Sequence, residues 1–143
     1  MSFSPDLMDF SGEWALERDI QSEIAGQAGR FSGRAWFCAA EGGLAYREVG
    51  KLHLGAAVLQ AERRYFWREA AGEIEVLFAD GRPFHSFTPA QTVATHFCDP
   101  DVYQVAYDFS KWPQWSSRWR VSGPRKDYVM TSRFSPVLRP EPS

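Results

Sequence analysis

The chain has 143 residues, a length typical of one domain, with 16 lysine and arginine residues against 18 aspartate and glutamate residues. The net charge of −2 shows no basic excess, so we expect no nucleic-acid partner. No apolar run approaches the roughly 20 residues that span a bilayer, and the first residues lack the basic and apolar regions of an export signal. We therefore expect a cytoplasmic protein with no membrane partner, and reduced thiols at Cys38 and Cys98.

Apolar and polar residues alternate along most of the chain, which is the period of a half-buried β-strand. In the first segment Trp14, Leu16 and Arg18 share one face, and Glu17 and Asp19 lie on the other. The pattern predicts ten strands, over residues 12–20, 29–39, 44–54, 58–69, 73–78, 82–87, 92–98, 102–109, 115–121 and 126–134. Helix is limited to a turn near residues 5–10, and the proline-rich residues 135–143 are expected to fray.

Turn motifs of hairpin length, such as Asp80-Gly81, separate nearly all of these strands. Such short connections favour a closed up-and-down antiparallel β-barrel of about ten strands, because closure removes the exposed sheet edges. The fold class is therefore all-β, and residues 1–143 form one domain. In a barrel with an even number of strands the first strand pairs with the last, which would bring Trp14 near Arg133.

Two sets of motifs resemble known barrel families. Gly12-x-Trp14 resembles the opening of the lipocalin and calycin barrels, in which a late arginine packs on the tryptophan; the resemblance implies Arg133 or Arg125 for that role. A longer resemblance, to an uncharacterised lipocalin-like family of unknown function, implies a lipocalin-like barrel but no activity or ligand. It rests on Gly12-x-Trp14-x-Leu16-x-Arg18, Tyr46-x-Glu48-x-Gly50, Arg63-x-Tyr65-x-Trp67, Phe78-x-Asp80-Gly81-Arg82-x-Phe84-His85, His96-x-Cys98-x-x-Asp101-x-Tyr103 and Gly123-Pro124-x-Lys126-Asp127-Tyr128.

Charged and aromatic side chains on the apolar strand faces form the candidate ligand site. A charge on a core face is costly unless it is paired or solvated, so several together indicate a satisfied network or a wet cavity. The candidate ligand-binding residues are Arg18, Tyr46, Glu48, Arg63, Tyr65, Trp67, Phe78, Asp80, His85, His96, Tyr103, Tyr107, Trp119, Lys126 and Tyr128.

A hairpin centred near Gly55 would place Glu48 opposite Arg63, where the two side chains can form a cross-strand ion pair. Either that pair only closes one end of the barrel, or Arg18 and Arg63 present guanidinium groups to a carboxylate or phosphate of a ligand. The aromatic residues predict walls for a flat molecule. We therefore expect the barrel to bind a small polar-headed or anionic molecule with an aromatic or lipid-like body, and we assign no cofactor.

Three alternatives stay open at this point. His85 or His96 with Asp80 or Glu48 would suit general acid–base catalysis by an isomerase, cyclase or hydrolase. Either histidine could instead be an axial ligand of haem, or the internal charges could be purely structural. The sequence does not fix which face of their strands these histidines occupy, and no metal-ligand spacing is present. Trp36 and Phe66 on polar faces suggest a homodimer.

Overall fold

The computed structural model describes residues 5–22, 27–88 and 90–138, and within them the ten predicted strands are all present. A 3-10 helix, Leu7–Phe10, comes first. The strands are β1 Gly12–Ser22, β2 Gln27–Ala40, β3 Gly43–Leu54, β4 Ala57–Ala70, β5 Glu73–Phe78, β6 Pro83–Phe87, β7 Val93–Cys98, β8 Asp101–Asp108, β9 Trp115–Ser122 and β10 Asp127–Pro136. Each predicted strand overlaps its observed counterpart, so the all-β prediction is confirmed.

All ten strands belong to one antiparallel sheet, in the order β6-β5-β4-β3-β2-β1-β10-β9-β8-β7. Every neighbour is consecutive in the chain except β1 and β10, whose pairing curls the meander into a barrel as predicted. The two edge strands, β6 and β7, are joined in the described part of the chain by a single bridge between Thr88 and Gln91. The barrel is therefore nearly closed, and we call the gap between β6 and β7 the seam.

The 3-10 helix plugs one end of the barrel with an aromatic core. Phe10 is fully buried, and its ring centroid lies 5.6 Å from that of Phe37 and 5.2 Å from those of Trp67 and Trp115. Aromatic rings tilted at such distances add to the stability that their buried area provides. This end is closed, and the opposite end is where inward side chains remain half-exposed.

The contact between a late arginine and Trp14, implied by the lipocalin resemblance, is not formed. Arg133 lies on the outer face of β10, where its Nη1 lies 2.8 Å from a carboxylate oxygen of Asp19. Arg125 is exposed in the turn before β10. The indole nitrogen of Trp14 instead donates to the carbonyl oxygen of Phe10 at 2.8 Å. The strands pair as predicted, but the phase of β10 directs Arg133 outwards.

The strand β10 extends two residues into the segment predicted to fray. It ends at Pro136, and the backbone N–H of Val137 donates to the carbonyl oxygen of Glu13 at 3.1 Å. The rest of that predicted tail, residues 139–143, lies outside the described residues.

Candidate functional site

A buried ion pair between Arg18 and Glu48 crosses the middle of the barrel. Nη1 and Nη2 of Arg18 donate to the two carboxylate oxygens of Glu48 at 2.6 and 3.0 Å, and Nε donates to Oγ of Ser132 at 2.6 Å. The hydroxyl of Tyr46 donates to Glu48 at 2.7 Å. Both charged side chains are less than a tenth exposed. This bidentate pair is a satisfied internal network, in which each guanidinium nitrogen of Arg18 has a protein partner.

The hydrogen-bond network keeps Arg18 and Glu48 ionised although both side chains are buried. Burial acts to lower the pKa of Arg18, but the hydrogen bonds and the charge of Glu48 outweigh it and raise that pKa above its ordinary value. Burial likewise acts to raise the pKa of Glu48, but its bonds from Arg18 and Tyr46 hold it below its ordinary value. Burial, together with the Glu48 carboxylate, raises the pKa of Tyr46 well above its ordinary value.

Small residues on β2 and β3 make room for this pair. Arg18 is opposite Phe31, and Glu48 is opposite Ala35, so the two charges reach each other across β2. The intervening inward residue of β2 is Gly33, which is opposite Gly50. A Cβ on Gly50 would lie 2.7 Å from the ring of Phe31, and that ring lies 5.2 Å below the Arg18 guanidinium. The small residues at these positions leave the space in which the ion pair lies.

Arg63 is opposite Glu48 in the ladder between β3 and β4, in the predicted register, yet the two do not form the predicted ion pair. The Glu48 carboxylate is occupied by Arg18. Among the residues that the structure describes, no carboxylate lies within 4.0 Å of the Arg63 guanidinium. That guanidinium lies 5.9 Å from the centroid of the Trp119 ring. Arg63 is therefore an inward, half-buried cation without an acidic partner in the described chain.

Aromatic rings surround Arg63 at the open end, and we call this half of the interior the mouth. Tyr65 and Trp119 have centroids 6.1 Å apart, and Phe84 lies 5.1 Å from Trp119. Phe78 stacks on Phe84 at 4.7 Å with an interplanar angle of 15°. Tyr65, Trp119 and Phe78 are only partly buried. Burial raises the pKa of Tyr65, although the Arg63 charge opposes this effect.

The rim of the mouth carries two tyrosines and a paired lysine. Tyr103 and Tyr128 are half-buried, and burial followed by the nearby Tyr103 raises the pKa of Tyr128. Nζ of Lys126 lies 3.0 Å from a carboxylate oxygen of Asp101, and this hydrogen bond raises the Lys126 pKa. Lys126 is largely solvent-exposed, so it lies at the edge of the mouth.

His85 lies inside the barrel because of a β-bulge in β6. The register between β5 and β6 shifts after Val76, which leaves Phe84 as an extra residue, and both Phe84 and His85 are buried. Nε2 of His85 lies 2.7 Å from the hydroxyl oxygen of Tyr107, so its partner is a tyrosine. Burial, followed by the charge of the nearby His96, lowers the pKa of His85 to about 3, so the imidazole is neutral.

The predicted acid–base pairs with Asp80 or Glu48 are not formed at His85 or His96 in the described structure. Asp80 lies in the exposed turn between β5 and β6, where its carboxylate binds the backbone and side chain of Arg82. The prediction that Asp80 lines the cavity is therefore wrong, because its strand ends before it. His96 lies in the mouth, with its ring 5.3 Å from Phe84. Haem ligation by either histidine stays a prediction.

A small cavity of about 30 Å³ separates the ion pair from His85 and Tyr107. Its walls also include Tyr46, Trp67 and Trp119. A polar cavity of this size holds about one or two water molecules. The part of the interior around the ion pair is thus largely filled by side chains.

The structure brings most of the predicted site residues to the inward face. These are Arg18, Tyr46, Glu48, Arg63, Tyr65, Trp67, Phe78, His85, His96, Tyr103, Tyr107, Trp119 and Tyr128. Sequence reasoning missed Ser132, Phe31 and Phe84. Ser132 could have been predicted from the alternation along the last strand, because Ser132 lies on the same strand face as Tyr128. The burial of Phe84 depends on the bulge, and no pattern in the sequence predicts that bulge.

Two absences concern the described residues alone. No group of three histidine, cysteine, aspartate or glutamate side chains there is placed to hold a metal ion, and Cys38 and Cys98 are free and exposed. No helix in those residues is long and apolar enough to cross a membrane.

The chain belongs to DUF6314, a family of unknown function whose model matches residues 10–136. No curated protein matches it. Among solved structures, the S-type phycobiliprotein lyase CPES from Guillardia theta superposes with a TM-score of 0.66 at 10% identity, over 98% of this chain and 95% of that one.

A second solved structure, of a protein of unknown function from the DUF3598 family of Nostoc punctiforme, gives a TM-score of 0.55 at 9% identity. The match covers 91% of this chain and 48% of that one, so the chain spans about half the length of that protein. At such identities the likeness concerns the fold: both comparisons support the nearly closed barrel.

Proposed function

We propose that this protein binds a small molecule with an anionic group and a flat, partly apolar body in the mouth of its barrel. The observation that carries the proposal is the Arg63 guanidinium, which faces inwards beside Trp119 without a carboxylate within 4.0 Å in the described residues. A half-buried cation of this kind is stabilised by a counter-charge; the Glu48 carboxylate acts on Arg63 only at a distance, and no described carboxylate forms a direct ion pair with it.

The charge of the ligand group follows from the balance of the inward residues. Arg18 and Glu48 neutralise each other, and all three nitrogens of the Arg18 guanidinium are used within the protein. Lys126 is paired with Asp101 at the rim. Arg63 is then the inward positive charge left for a carboxylate, sulfonate or phosphate, which a guanidinium binds through two parallel hydrogen bonds.

The shape of the ligand body follows from the walls of the mouth. Tyr65, Phe78, Tyr103 and Trp119 present partly exposed ring faces, and large aromatic surfaces of this kind are typical of pockets for flat molecules. The filled layer around the Arg18–Glu48 pair forms the floor, because the cavity beneath has a volume of only about 30 Å³. The ligand therefore occupies the outer half of the barrel, with its anionic group towards Arg63.

The resemblance to a phycobiliprotein lyase is compatible with this proposal and suggests one ligand to test, a bilin. The likeness extends over nearly the whole of both chains. Because it is a likeness of fold, the ligand class proposed here rests on Arg63 and the aromatic walls.

The test uses two fluorescent probes that share a flat aromatic body. One is 1-anilinonaphthalene-8-sulfonate, which carries an anionic group, and the other is the uncharged N-phenyl-1-naphthylamine. We expect both to bind saturably. Arg63→Gln should weaken binding of the sulfonate at least about tenfold, as expected for a lost hydrogen-bonded charge, and leave the uncharged probe nearly unaffected.

Arg64→Gln is the matched control, since Arg64 is the next residue of β4 but is exposed on the outer face beside Glu62. It should leave the affinity for both probes unchanged. Absence of saturable binding of either probe, or equal losses in the two arginine variants, would refute the proposed site. A bilin that binds the wild type and is weakened by Arg63→Gln would extend the proposal to that chromophore.

A further inference from the structure

The seam is a groove of about 780 Å³ in the wall of the barrel, bordered by β6 on one side and β7 on the other. It shares Phe84 with the mouth, but the proposed function does not use the groove. Apart from the bridge between Thr88 and Gln91, the described residues form no ladder across it. Two strand edges therefore face each other without pairing.

The backbone direction of β7 follows from its bonds to β8. The N–H of Tyr107 donates to the carbonyl oxygen of Thr92 at 2.9 Å, so residue 92 faces β8. Because backbone groups alternate along a strand, the N–H and C=O groups of Val93, Thr95 and Phe97 point towards the seam. Val93 and Thr95 line the groove, so strand β7 presents two donor and acceptor pairs to it, and Phe97 continues the same edge beyond it.

The edge of β6 contributes groups of its own. Thr88 exchanges two backbone hydrogen bonds with Gln91, at 3.0 and 3.1 Å, so residue 88 faces the seam. By the same alternation Ser86 also faces it. Exposed strand edges of this kind are templates for pairing with another extended chain, and natural proteins usually cover or charge them. In β7 no lysine, arginine, aspartate or glutamate protects the edge.

A second observation also points to a missing partner. His85 lines the groove, is 8% exposed, and bonds Tyr107 through Nε2, but its Nδ1 is buried without a hydrogen-bond partner in the described structure. A buried polar atom without a partner is costly, so an occupant with a polar group would relieve it. His85 thus lies between the groove and the interior cavity of about 30 Å³.

The outer side of the groove has mixed chemistry. Val93 and Phe97 on β7 are 56% and 74% exposed, although both are apolar. On the opposite side Glu73 and Glu75 border the groove with one cation, Arg68, which is bound to Glu75 at 2.7 Å. The charged residues lining the groove therefore have an excess of one negative charge.

We propose that the seam is a docking site for an extended peptide segment of a partner protein, which pairs with the free edge of β7. On its outer face the segment carries β-branched or aromatic residues, which pack against Val93 and Phe97, and a basic residue, which approaches Glu73. On its inner face a small hydroxyl or amide side chain meets Nδ1 of His85. An extended backbone suits this groove because its alternating donors and acceptors match those on the free edge of β7.

The test is a selection from a displayed library of random linear decapeptides against the full chain. Selected peptides are then made with single N-methylated amides, which cannot donate hydrogen bonds. We expect methylation at alternate positions to weaken binding about tenfold, the upper range for one lost hydrogen bond, and methylation between them to have a smaller effect. Peptide binding should also slow amide hydrogen exchange at Thr95.

Two variants of one residue separate the backbone from the side chain. Thr95→Pro removes the seam-directed N–H, which has no partner in β8, and proline is tolerated on such an edge. Thr95→Ala keeps that N–H. Peptide affinity should fall about tenfold in the proline variant only, while circular dichroism and probe binding in the mouth stay as in the wild type.

Three outcomes would overturn the proposal. They are a library that yields no peptide slowing exchange at Thr95, selected peptides that are insensitive to N-methylation, and equal peptide binding by the two Thr95 variants. A dimer that is seen by light scattering and is lost in Thr95→Pro would assign the edge to a second copy of the chain instead, and would also overturn it.

Discussion

Replacing Glu48 with glutamine tests whether the buried ion pair is as dry as its geometry indicates. The amide has nearly the same shape and can still accept one hydrogen bond from Arg18. Its NH₂ group, however, faces the second guanidinium nitrogen, donor against donor, and the negative charge is gone. Removing one partner of a buried pair costs about 3–5 kcal/mol, because the remaining charge is uncompensated. That is a large part of the roughly 5–15 kcal/mol by which a typical domain is stable.

The assay is urea unfolding followed by tryptophan fluorescence. With a slope of about 2 kcal/mol per molar urea, the expected loss lowers the midpoint by roughly 1.5–2.5 M. Glu62→Gln is the control, since Glu62 is exposed and binds Arg47 and Arg64 on the outer surface, where ion pairs contribute little. A loss below about 1 kcal/mol for Glu48→Gln at an unchanged slope would show that water reaches Arg18 and would refute the reasoning.

The effect of Glu48→Gln on stability should also depend on pH. The pKa of Glu48 is lower in the folded protein than the ordinary 4.5. Its ionised form therefore contributes stability that is fully present above pH 4.5 and is lost as the pH falls through the folded pKa. Glutamine does not titrate, so the difference between the midpoints of the wild type and Glu48→Gln should narrow on acidification below pH 4.5.

Two further predictions concern residues away from this pair. Because burial lowers the pKa of His85 to about 3, the NMR shifts of its imidazole should stay constant between about pH 7 and 5, and a midpoint near pH 6 would contradict its burial. The unfolded chain binds that proton near pH 6.5, so the urea midpoint should fall on acidification from there towards pH 3, less so in His85→Phe. Arg133→Ala should change the free energy of unfolding by less than about 1 kcal/mol, since Arg133 pairs with Asp19 at the surface; a loss above about 2 kcal/mol would indicate a contact with Trp14.

The sequence predicts the strands and one register well, because both depend on local chemistry. Alternation defines each strand, and the turn at Gly55 sets the pairing of β3 with β4. That turn is enough to place Glu48 opposite Arg63, as the structure confirms. Hairpin-length connections also predict the meander and, through it, the pairing of β1 with β10.

The partner of Glu48 could not be predicted in the same way. Arg18 is two strands away, and the contact depends on Gly33 and Ala35 leaving the space above β2 free. Whether the His85 side chain points into the barrel depends on the bulge at Phe84. The bulge adds one residue to β6 and so exchanges the inward and outward positions of the residues after it. Asp80 was misplaced because a strict alternation was continued past the end of β5. Each of these errors concerns either a contact between residues far apart in the chain or a point where the alternation of a β-strand is interrupted.

From the sequence, Arg18 and Arg63 are equivalent, since each is an arginine on an apolar strand face. What separates them is depth along the barrel axis. Arg18 lies at the level where small residues of β2 let Glu48 and Ser132 reach it, so its hydrogen-bonding capacity is used within the fold. Arg63 lies towards the open end and is half-buried, with its guanidinium 5.9 Å from the centroid of the Trp119 ring and hydrogen-bonded to Tyr65. Depth depends on strand stagger, which no local pattern encodes, so the sequence could identify the two arginines but could not show that Arg63, unlike Arg18, has no direct ion pair in the described chain.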